Sequence, residues 1–165
     1  MFDLKNVKKG RIKEYADMFN CEFHEGNPWG ISCDIALPCA TQNELDEDDA
    51  KNLINNGCIC VSEGANMPCT PEAIIAFQNA KILYAPGKAS NAGGVATSAL
   101  EMSQNSIRMT WESREVDEKL KSIMSQIHNS CVKYGSIEDY VDYVKGANIA
   151  AFHKIADSMI DQGVV

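Results

Sequence analysis

Three times along the first two thirds of the chain, a short apolar run gives way to a cluster of small and polar residues that contains an asparagine. The asparagines are Asn43, Asn66 and Asn91, which lie about two dozen residues apart. Each interval leaves room for one strand and one helix, and alternating strands and helices imply right-handed crossovers and a parallel sheet. The carboxyl ends of the strands would then open on one crevice, which is where open α/β sheets bind ligands.

The apolar runs predict three short buried strands, at residues 33–37, 58–62 and 82–85. Helix signals lie between them. Asp46 can cap a helix over residues 46–55 that Gly57 would end, and its first turn is acidic, which suits the positive end of a helix dipole. Thr70 followed by Pro71 is a typical start for a second helix.

Helical periodicity dominates both ends of the chain. Before the first strand, residues 7–19 have the spacing of an amphipathic helix, although Gly10 weakens its start. After Gly94, three further helices are predicted at residues 95–109, 113–134 and 138–162. The C-terminal part of the chain is therefore expected to be entirely helical.

These elements predict an α/β fold. We expect a partial Rossmann-like coenzyme domain, with about three parallel strands and crossover helices, followed by C-terminal helices. Residues 1–110 would form the second half of an NAD(P)-binding domain, and residues 111–165 a C-terminal helical segment. A complete domain of this type has two βαβ halves. Only one half is visible here, so the chain has the pattern of a part of something longer.

Bulk composition narrows the function classes. The chain has 165 residues, enough for one domain with a real core, and a net charge of −8. The lack of a dense basic run argues against a nucleic-acid surface, and no apolar run approaches membrane-spanning length. The 7 cysteines are odd in number and fit reduced thiols, so a cytoplasmic location is expected. Their spacing, with no paired histidines nearby, predicts no metal site.

The polar residues after the predicted strands are candidate ligand contacts. Thr41, Gln42 and Asn66 offer neutral hydrogen-bonding groups, which suit a ribose or a carboxamide. The segment Asn91-Ala92-Gly93-Gly94 leads into a predicted helix, whose free N–H groups can hold an anion. The alternative for the whole set is that glycine and asparagine serve only as turn and cap residues.

Two other polar features are ambiguous or misleading. Glu63 ends the second predicted strand and could orient a ligand amide or ribose, but pairing or solvation of its side chain explains the sequence equally well. Gly87-Lys88 follows a strand as in a phosphate loop. However, Ile82 and Ala89 stand where that motif requires glycine and Ser or Thr, so a phosphate loop is excluded.

The segments after the predicted strands closely resemble those of the small hexameric glutamate dehydrogenases, and the resemblance extends over essentially the whole chain. The sequence of these segments is most similar to that of the NADP-dependent branch of the family. The matching segments are DIALPCATQNEL at residues 34–45, EGANMP at 63–68, APGKASNAGGVATS at 85–98, EMSQN at 101–105 and VKGANIA at 144–150.

The resemblance implies an oxidoreductase of amino-acid and nitrogen metabolism. Its reaction would be the reversible oxidative deamination of L-glutamate to 2-oxoglutarate and ammonia, with hydride transfer to a nicotinamide coenzyme. That coenzyme would be NADP, with NAD as the weaker alternative. The full-length enzyme would be a cytoplasmic homo-hexamer, and neither nucleic acid nor a membrane is expected as a partner.

The resemblance also assigns roles to residues. Ser98 matches the serine that hydrogen-bonds the side-chain carboxylate of the substrate, and Asn91 matches an asparagine at the substrate and nicotinamide end of the cleft. Val95 matches an apolar wall of the substrate pocket. Together with Glu63 at its strand end, the residues expected to contact the coenzyme are Ala40, Thr41, Gln42, Asn66 and again Asn91.

The catalytic groups of the family do not match any segment of this chain. The resemblance places the family's catalytic lysine and aspartate, its carboxylate-binding lysines and its glycine-rich pyrophosphate turn upstream of Met1, and implies that the N-terminal substrate domain is absent. No residue here is therefore predicted to be catalytic, and the isolated chain is expected to be inactive. The alternative is a non-catalytic module, either a nucleotide-binding protein or a subunit that completes an enzyme in trans.

Overall fold

A short parallel sheet lies at the centre of the computed structural model, which describes residues 1–163. Its strands are Ile35–Ala36 (β1), Cys60–Ser62 (β2) and Leu83–Ala85 (β3), in the order β1-β2-β3. Cys60 of the central strand pairs in parallel with Ile35 and with Leu83. The predicted α/β class and parallel sheet are confirmed, although each strand is shorter than predicted.

The N-terminal helix begins later than the sequence predicts. Residues Asp3–Val7 form a π-helical turn, and α1 spans Ile12–Phe19. Between them Lys9 has a φ of 56°, and Gly10 lies directly against the side chain of Leu4. A left-handed residue does not continue an α-helix, so the predicted helix is wrong in its first part.

Helices join successive strands. Helix α2 (Glu47–Asn55) lies between β1 and β2, and α3 (Pro71–Asn79) lies between β2 and β3. The Asp46 carboxylate accepts two backbone N–H groups of the first turn of α2, each at 3.0 Å. The Thr70 hydroxyl accepts one from the first turn of α3 at 3.4 Å. Both predicted helix starts are confirmed, because a cap depends only on local sequence.

The main hydrophobic core lies where α2 and α3 pack against the sheet. Val61 of β2 and Phe77 of α3 are fully buried. The ring of Phe77 stacks on that of Tyr84 in β3, with centroids 5.7 Å apart. Leu45, which precedes α2, and Leu53, near the end of α2, complete this core. Because β2 and β3 pair in register and share these contacts, the carboxyl ends of the two strands lie side by side.

Three helices follow the sheet. They are α4 (Gly87–Ser90), α5 (Ala92–Ile107) and α6 (Ser113–Gly135). Helix α5 therefore begins before the predicted residue 95, directly after α4. It ends at Arg108, which has a φ of 56°.

A small hairpin interrupts the last predicted helix. Strands β4 (Ser136–Ile137) and β5 (Tyr140–Val141) pair in antiparallel fashion, and α7 spans Tyr143–Gln162. The turn contains Glu138 at a φ of 54°. Asp142 then caps α7 by accepting a backbone N–H at 2.9 Å. The prediction that a helix begins at residue 138 is therefore wrong.

Helices α6 and α7 pack against each other next to β2 and β3. A pocket of about 240 Å³ between them and the strands is bordered by Ser62, Ala85, Cys131 and Tyr143. Across residues 1–163, no helix combines the length and the apolar character needed to cross a bilayer. Residues 164 and 165, with which the predicted C-terminal segment ends, lie outside the described residues, and the predicted boundary at residue 110 stays a prediction.

Candidate functional site

The candidate site is the edge formed by the three segments that follow β1, β2 and β3. They are the first segment (residues 37–45), the second segment (63–70) and the third segment (86–91). Side chains predicted to contact ligands occur on all three. A side chain at this edge can bind a ligand only if its polar atoms are not already hydrogen-bonded within the chain.

Backbone hydrogen bonds join the first segment to the second. The carbonyl of Pro38 accepts the N–H groups of Gly64 at 2.9 Å and Ala65 at 3.0 Å. Further along, Asn43 donates its N–H to the carbonyl of Met67 at 3.0 Å. A side chain on Gly64 would collide with the Cys39 sulfur. The two segments therefore approach closely, and a side chain at residue 64 would fit only if the Cys39 side chain moved.

Side chains join the second segment to the third. The Ser90 hydroxyl donates to the carbonyl of Glu63 at 2.6 Å. The Asn91 amide donates through Nδ2 to the carbonyl of Ala65 at 2.9 Å. The predicted convergence of the three asparagine-bearing segments at one edge is therefore present, and it depends on hydrogen bonds between segments that are distant in sequence.

The predicted coenzyme residues of the first two segments line this edge with exposed side chains. Ala40 and Thr41 sit in a tight turn whose N–H groups donate to the Glu44 carboxylate at 2.8 and 3.3 Å. The side chains of Thr41, Gln42 and Asn66 are exposed. Within residues 1–163 none of the three makes a recorded side-chain hydrogen bond. Their neutral donors and acceptors are therefore unpaired within the described residues, and their contact with a coenzyme stays a prediction.

Asn91 forms more hydrogen bonds within the chain than its predicted role as a ligand contact implies. Its Nδ2 is committed to Ala65, and its backbone N–H donates to the carbonyl of Gly87 at 2.9 Å. The N–H of Gly94 is also used, since it donates to the Asn91 carbonyl at 3.4 Å. The predicted anion cradle at the start of α5 is therefore only partly open. The Oδ1 atom of Asn91 has no recorded donor among the described residues and can still face a ligand.

The three predicted substrate residues lie on α5 and at its start. Val95 and Ser98 are three positions apart and share a helix face, and Asn91 is the N-cap residue of the same helix. Val95 is 76% exposed, and Ser98 is exposed, with its hydroxyl bonded only to the carbonyl of Gly94 at 3.3 Å. With a helix rise of about 1.5 Å per residue, Ser98 lies about 10 Å along the axis from Asn91.

The Glu63 carboxylate is buried and hydrogen-bonded within the chain. It is only 4% exposed, and its carboxylate accepts the N–H groups of Gly87 at 2.5 Å and Cys69 at 3.3 Å. Burial raises the pKa values of the Cys69 thiol and the Tyr84 hydroxyl, and the nearby Glu63 carboxylate raises them further. The sequence left open whether the Glu63 side chain contacts a ligand, is paired or is solvated. The structure favours pairing of its carboxylate, with backbone N–H groups as the partners.

A polar contact that the sequence does not reveal lies beside the second segment. A pocket of about 290 Å³ there is bordered by Asn66, Met67, Lys88 and Val144. Lys88 donates through Nζ to Oδ1 of Asn148 in α7 at 2.6 Å. The two residues are separated by 60 positions in the sequence, so no local pattern could have predicted that α7 helps to form this edge.

Histidines and acidic residues do not form a metal site in the described part of the chain, since no group of three potential ligands comes together. His128 lies against Tyr143, with ring centroids 5.7 Å apart, and His153 stacks on Tyr134 at 5.0 Å. Both histidines thus pack against tyrosines of the C-terminal helices, and neither is among the residues of the three segments.

The chain matches one protein family along almost its whole length. The model of the family described as "Glutamate/Leucine/Phenylalanine/Valine dehydrogenase" matches residues 1–163. A protein named "Glutamate dehydrogenase" from Bacteroides thetaiotaomicron is 63% identical over all of this chain, which corresponds to 38% of that protein. An "NADP-specific glutamate dehydrogenase" from Haemophilus influenzae is 56% identical over 99% of this chain and 37% of its own length.

Solved structures agree with this assignment. A glutamate dehydrogenase from Plasmodium falciparum superimposes with a TM-score of 0.89 at 51% identity, over 99% of this chain and 36% of that one. Other relatives have names that specify NAD or NAD(P). The chain thus spans less than two fifths of the length of the proteins that it matches. Its sequence and fold together place the chain in the Glutamate/Leucine/Phenylalanine/Valine dehydrogenase family.

Proposed function

We propose that this chain is the coenzyme-binding and C-terminal part of a glutamate dehydrogenase. The parent enzyme would catalyse the reversible, NADP-dependent oxidative deamination of L-glutamate to 2-oxoglutarate and ammonia. The observation that carries the proposal is the edge itself. Three segments after parallel strands are hydrogen-bonded to one another and continue directly into a helix face that carries Ser98.

The residues of the edge would bind and orient the two ligands. Exposed Thr41, Gln42 and Asn66 would donate and accept hydrogen bonds with the coenzyme. Ser98 would donate to the side-chain carboxylate of glutamate, and Val95 would contact its apolar carbons. When bound, the nicotinamide supplies the hydride acceptor of the reaction. The neutral character of the donors fits ribose and carboxamide groups.

The glycine at position 94 also supports this arrangement of ligands. It lies in the first turn of α5, one residue from Val95, and an added Cβ would meet no atom within 4 Å. Glycine lowers the stability of a helix by up to about 1 kcal/mol relative to alanine. Since packing within this chain does not require glycine at this position, close approach of a ligand is the proposed reason for it.

The proposal assigns proton transfer and dicarboxylate binding by cations to parts of the parent outside this chain. An amine dehydrogenation needs a general acid/base and positive groups that hold the dicarboxylate. The edge described here offers amides, hydroxyls, backbone groups and one lysine, Lys88, whose Nζ already donates to Asn148. In the proposed parent, NADP is preferred over NAD and the subunits form a homo-hexamer. All seven cysteines are unpaired, in keeping with a cytoplasmic enzyme.

The test is substitution of Ser98 in the full-length parent protein. Oxidation of NADPH with 2-oxoglutarate and ammonium is measured for the wild type, Ser98→Ala and Ser103→Ala. Loss of a hydrogen bond to a carboxylate costs about 1.5–3 kcal/mol, so the KM for 2-oxoglutarate should rise roughly 10- to 100-fold with little change in that for NADPH.

Ser103→Ala is the matched control because Ser103 lies on the same helix and makes the same type of bond, to the carbonyl of Ala99 at 2.9 Å. Equal loss of affinity for both ligands, or none for either, contradicts the role of Ser98. A wild type without turnover contradicts the dehydrogenase proposal. A native polypeptide with the 18.1 kDa mass of this chain favours the non-catalytic or trans-complementing module instead.

A further inference from the structure

Glu63 is a buried carboxylate that no cation neutralises. It is 4% exposed, and none of the ion pairs formed within residues 1–163 includes it. Burying a charge without an ionic partner is costly unless hydrogen bonds compensate. A carboxylate placed in this way therefore needs a structural or functional reason beyond surface solvation.

The two hydrogen bonds of the carboxylate go to different segments of the edge. Oε1 accepts the N–H of Cys69, at the end of the second segment, at 3.3 Å. Oε2 accepts the N–H of Gly87, at the start of α4 in the third segment, at 2.5 Å. The Gly87 N–H belongs to the first turn of a helix, where donors have no partner within the helix. Glu63 thus provides one partner for each segment.

The surroundings of Gly87 show how tightly this connection is built. A Cβ at this position would lie 3.1 Å from Oε2 of Glu63, 3.2 Å from Nδ2 of Asn91 and 3.3 Å from the carbonyl oxygen of Ala65. Gly87 itself is buried. Three groups from two segments therefore converge on one glycine, and Asn91, the N-cap residue of α5, is among them.

The main chain of Glu63 makes the same connection. Its carbonyl accepts the Ser90 hydroxyl at 2.6 Å, and its N–H donates to the carbonyl of Ala85 at 3.1 Å. The next three residues lead to Asn66, one of the proposed coenzyme contacts. A change in the carboxylate would therefore act on Asn66 through the second segment and on Asn91 through the third.

We infer that Glu63 is a positioning residue, which holds the coenzyme-side segment with Asn66 and the substrate-side segment with Asn91 in a fixed relation without contacting either ligand. This inference rests on the proposed function for its catalytic consequence. Its structural part, a carboxylate bridge between the two segments, is independent of that function. The experiment therefore has one measurement for each part.

The first measurement is hydrogen–deuterium exchange in the full-length protein, comparing the wild type with Glu63→Gln. The substitution keeps the shape of the side chain, but its NH₂ group must face one of the two N–H donors. Exchange should accelerate in peptides covering residues 64–70 and 86–92 and stay unchanged in α2. Unchanged exchange in both peptides would overturn the inference, whether or not the protein is a dehydrogenase.

The second measurement is steady-state kinetics with NADPH, 2-oxoglutarate and ammonium. Displacement of both segments should raise the KM values for NADPH and for 2-oxoglutarate together, by roughly tenfold or more. Glu63→Asp should not restore them, because its shorter side chain cannot reach both N–H groups. A purely structural role would lower kcat per total protein by reducing the folded fraction and leave both KM values unchanged, and this result would refute positioning.

Asp46→Ala is the matched control. The Asp46 carboxylate also accepts two backbone N–H groups, at 3.0 Å each, but both belong to α2. Its loss should lower the thermal stability without raising either KM. If Asp46→Ala raises the KM values as much as Glu63→Gln, the effect is general loss of stability and the inference fails. If the wild type has no turnover, the proposed function fails while the exchange measurement still decides whether Glu63 bridges the segments.

Discussion

A single methyl group at Gly146 should force α6 and α7 apart. Gly146 is buried where the two helices cross, and an added Cβ would overlap the carbonyl group of Cys131 and lie 3.0 Å from its Cα. Gly135 of α6 makes the reciprocal approach, since a Cβ there would overlap the carbonyl of Asp142. The obstacle in both cases is main chain, so no change of rotamer can relieve the overlap.

The expected loss follows from two opposing contributions. Replacing glycine by alanine inside a helix contributes up to about 1 kcal/mol of stability. Overpacking costs typically 1–3 kcal/mol, and a collision with backbone belongs at the upper end of that range. Gly146→Ala should therefore lower the free energy of unfolding by about 2 kcal/mol. For a chain of this size that corresponds to a fall in Tm of roughly 4–8 °C.

Gly94→Ala is the matched variant. It makes the same substitution in the neighbouring helix α5, but the new Cβ meets no atom within 4 Å. Only the helix-propensity gain remains, so the stability should rise by up to about 1 kcal/mol. Urea denaturation followed by far-ultraviolet circular dichroism, at one fixed protein concentration, compares both variants with the wild type. If Gly146→Ala is as stable as Gly94→Ala, the close contact at the α6–α7 crossing is wrong.

Three further results are expected of the purified 165-residue chain. It should not oxidise NADPH with 2-oxoglutarate and ammonium, and measurable turnover would show that the chain supplies its own acid/base group. It should self-associate, or rearrange its terminal helices, because β1 is an edge strand of the described sheet. Ile35 in β1 and Ile59 just before β2 are also 56% and 61% exposed. A monodisperse 18.1 kDa species by light scattering would argue against this. Burial raises the pKa of the Cys69 thiol, so iodoacetamide should alkylate exposed Cys21 and Cys39 well before Cys69, and equal rates by mass spectrometry would contradict the packing around Glu63.

Local signals account for the parts of the fold that the sequence predicted well. The caps at Asp46 and Thr70 act over three residues, so they can be read without knowledge of the tertiary structure. The spacing of the three apolar runs was enough to predict parallel strands whose ends meet at one edge.

The errors occurred where a residue with positive φ interrupts a helical pattern. The helix predicted from residue 7 is interrupted locally, at Lys9, whose φ is 56°. The helix predicted from residue 138 gives way to a hairpin, in which the Tyr140 hydroxyl donates to the carbonyl of Ile82 at 3.5 Å. Neither segment lacks helical periodicity, but in both cases a residue with positive φ lets the chain turn.

In the candidate site, the local sequence and the tertiary structure also made separate contributions. By itself, the sequence determined which residue types stand after each strand, since turn residues, caps and helix faces are fixed over a few positions. Only the tertiary structure decided which of those side chains are free. It left Asn66 exposed, committed half of the Asn91 amide to Ala65 and buried Glu63 between two backbone N–H groups. The partner of the Asn91 amide and one of the two partners of the Glu63 carboxylate lie more than twenty residues away, and that information is absent from any local stretch of the chain.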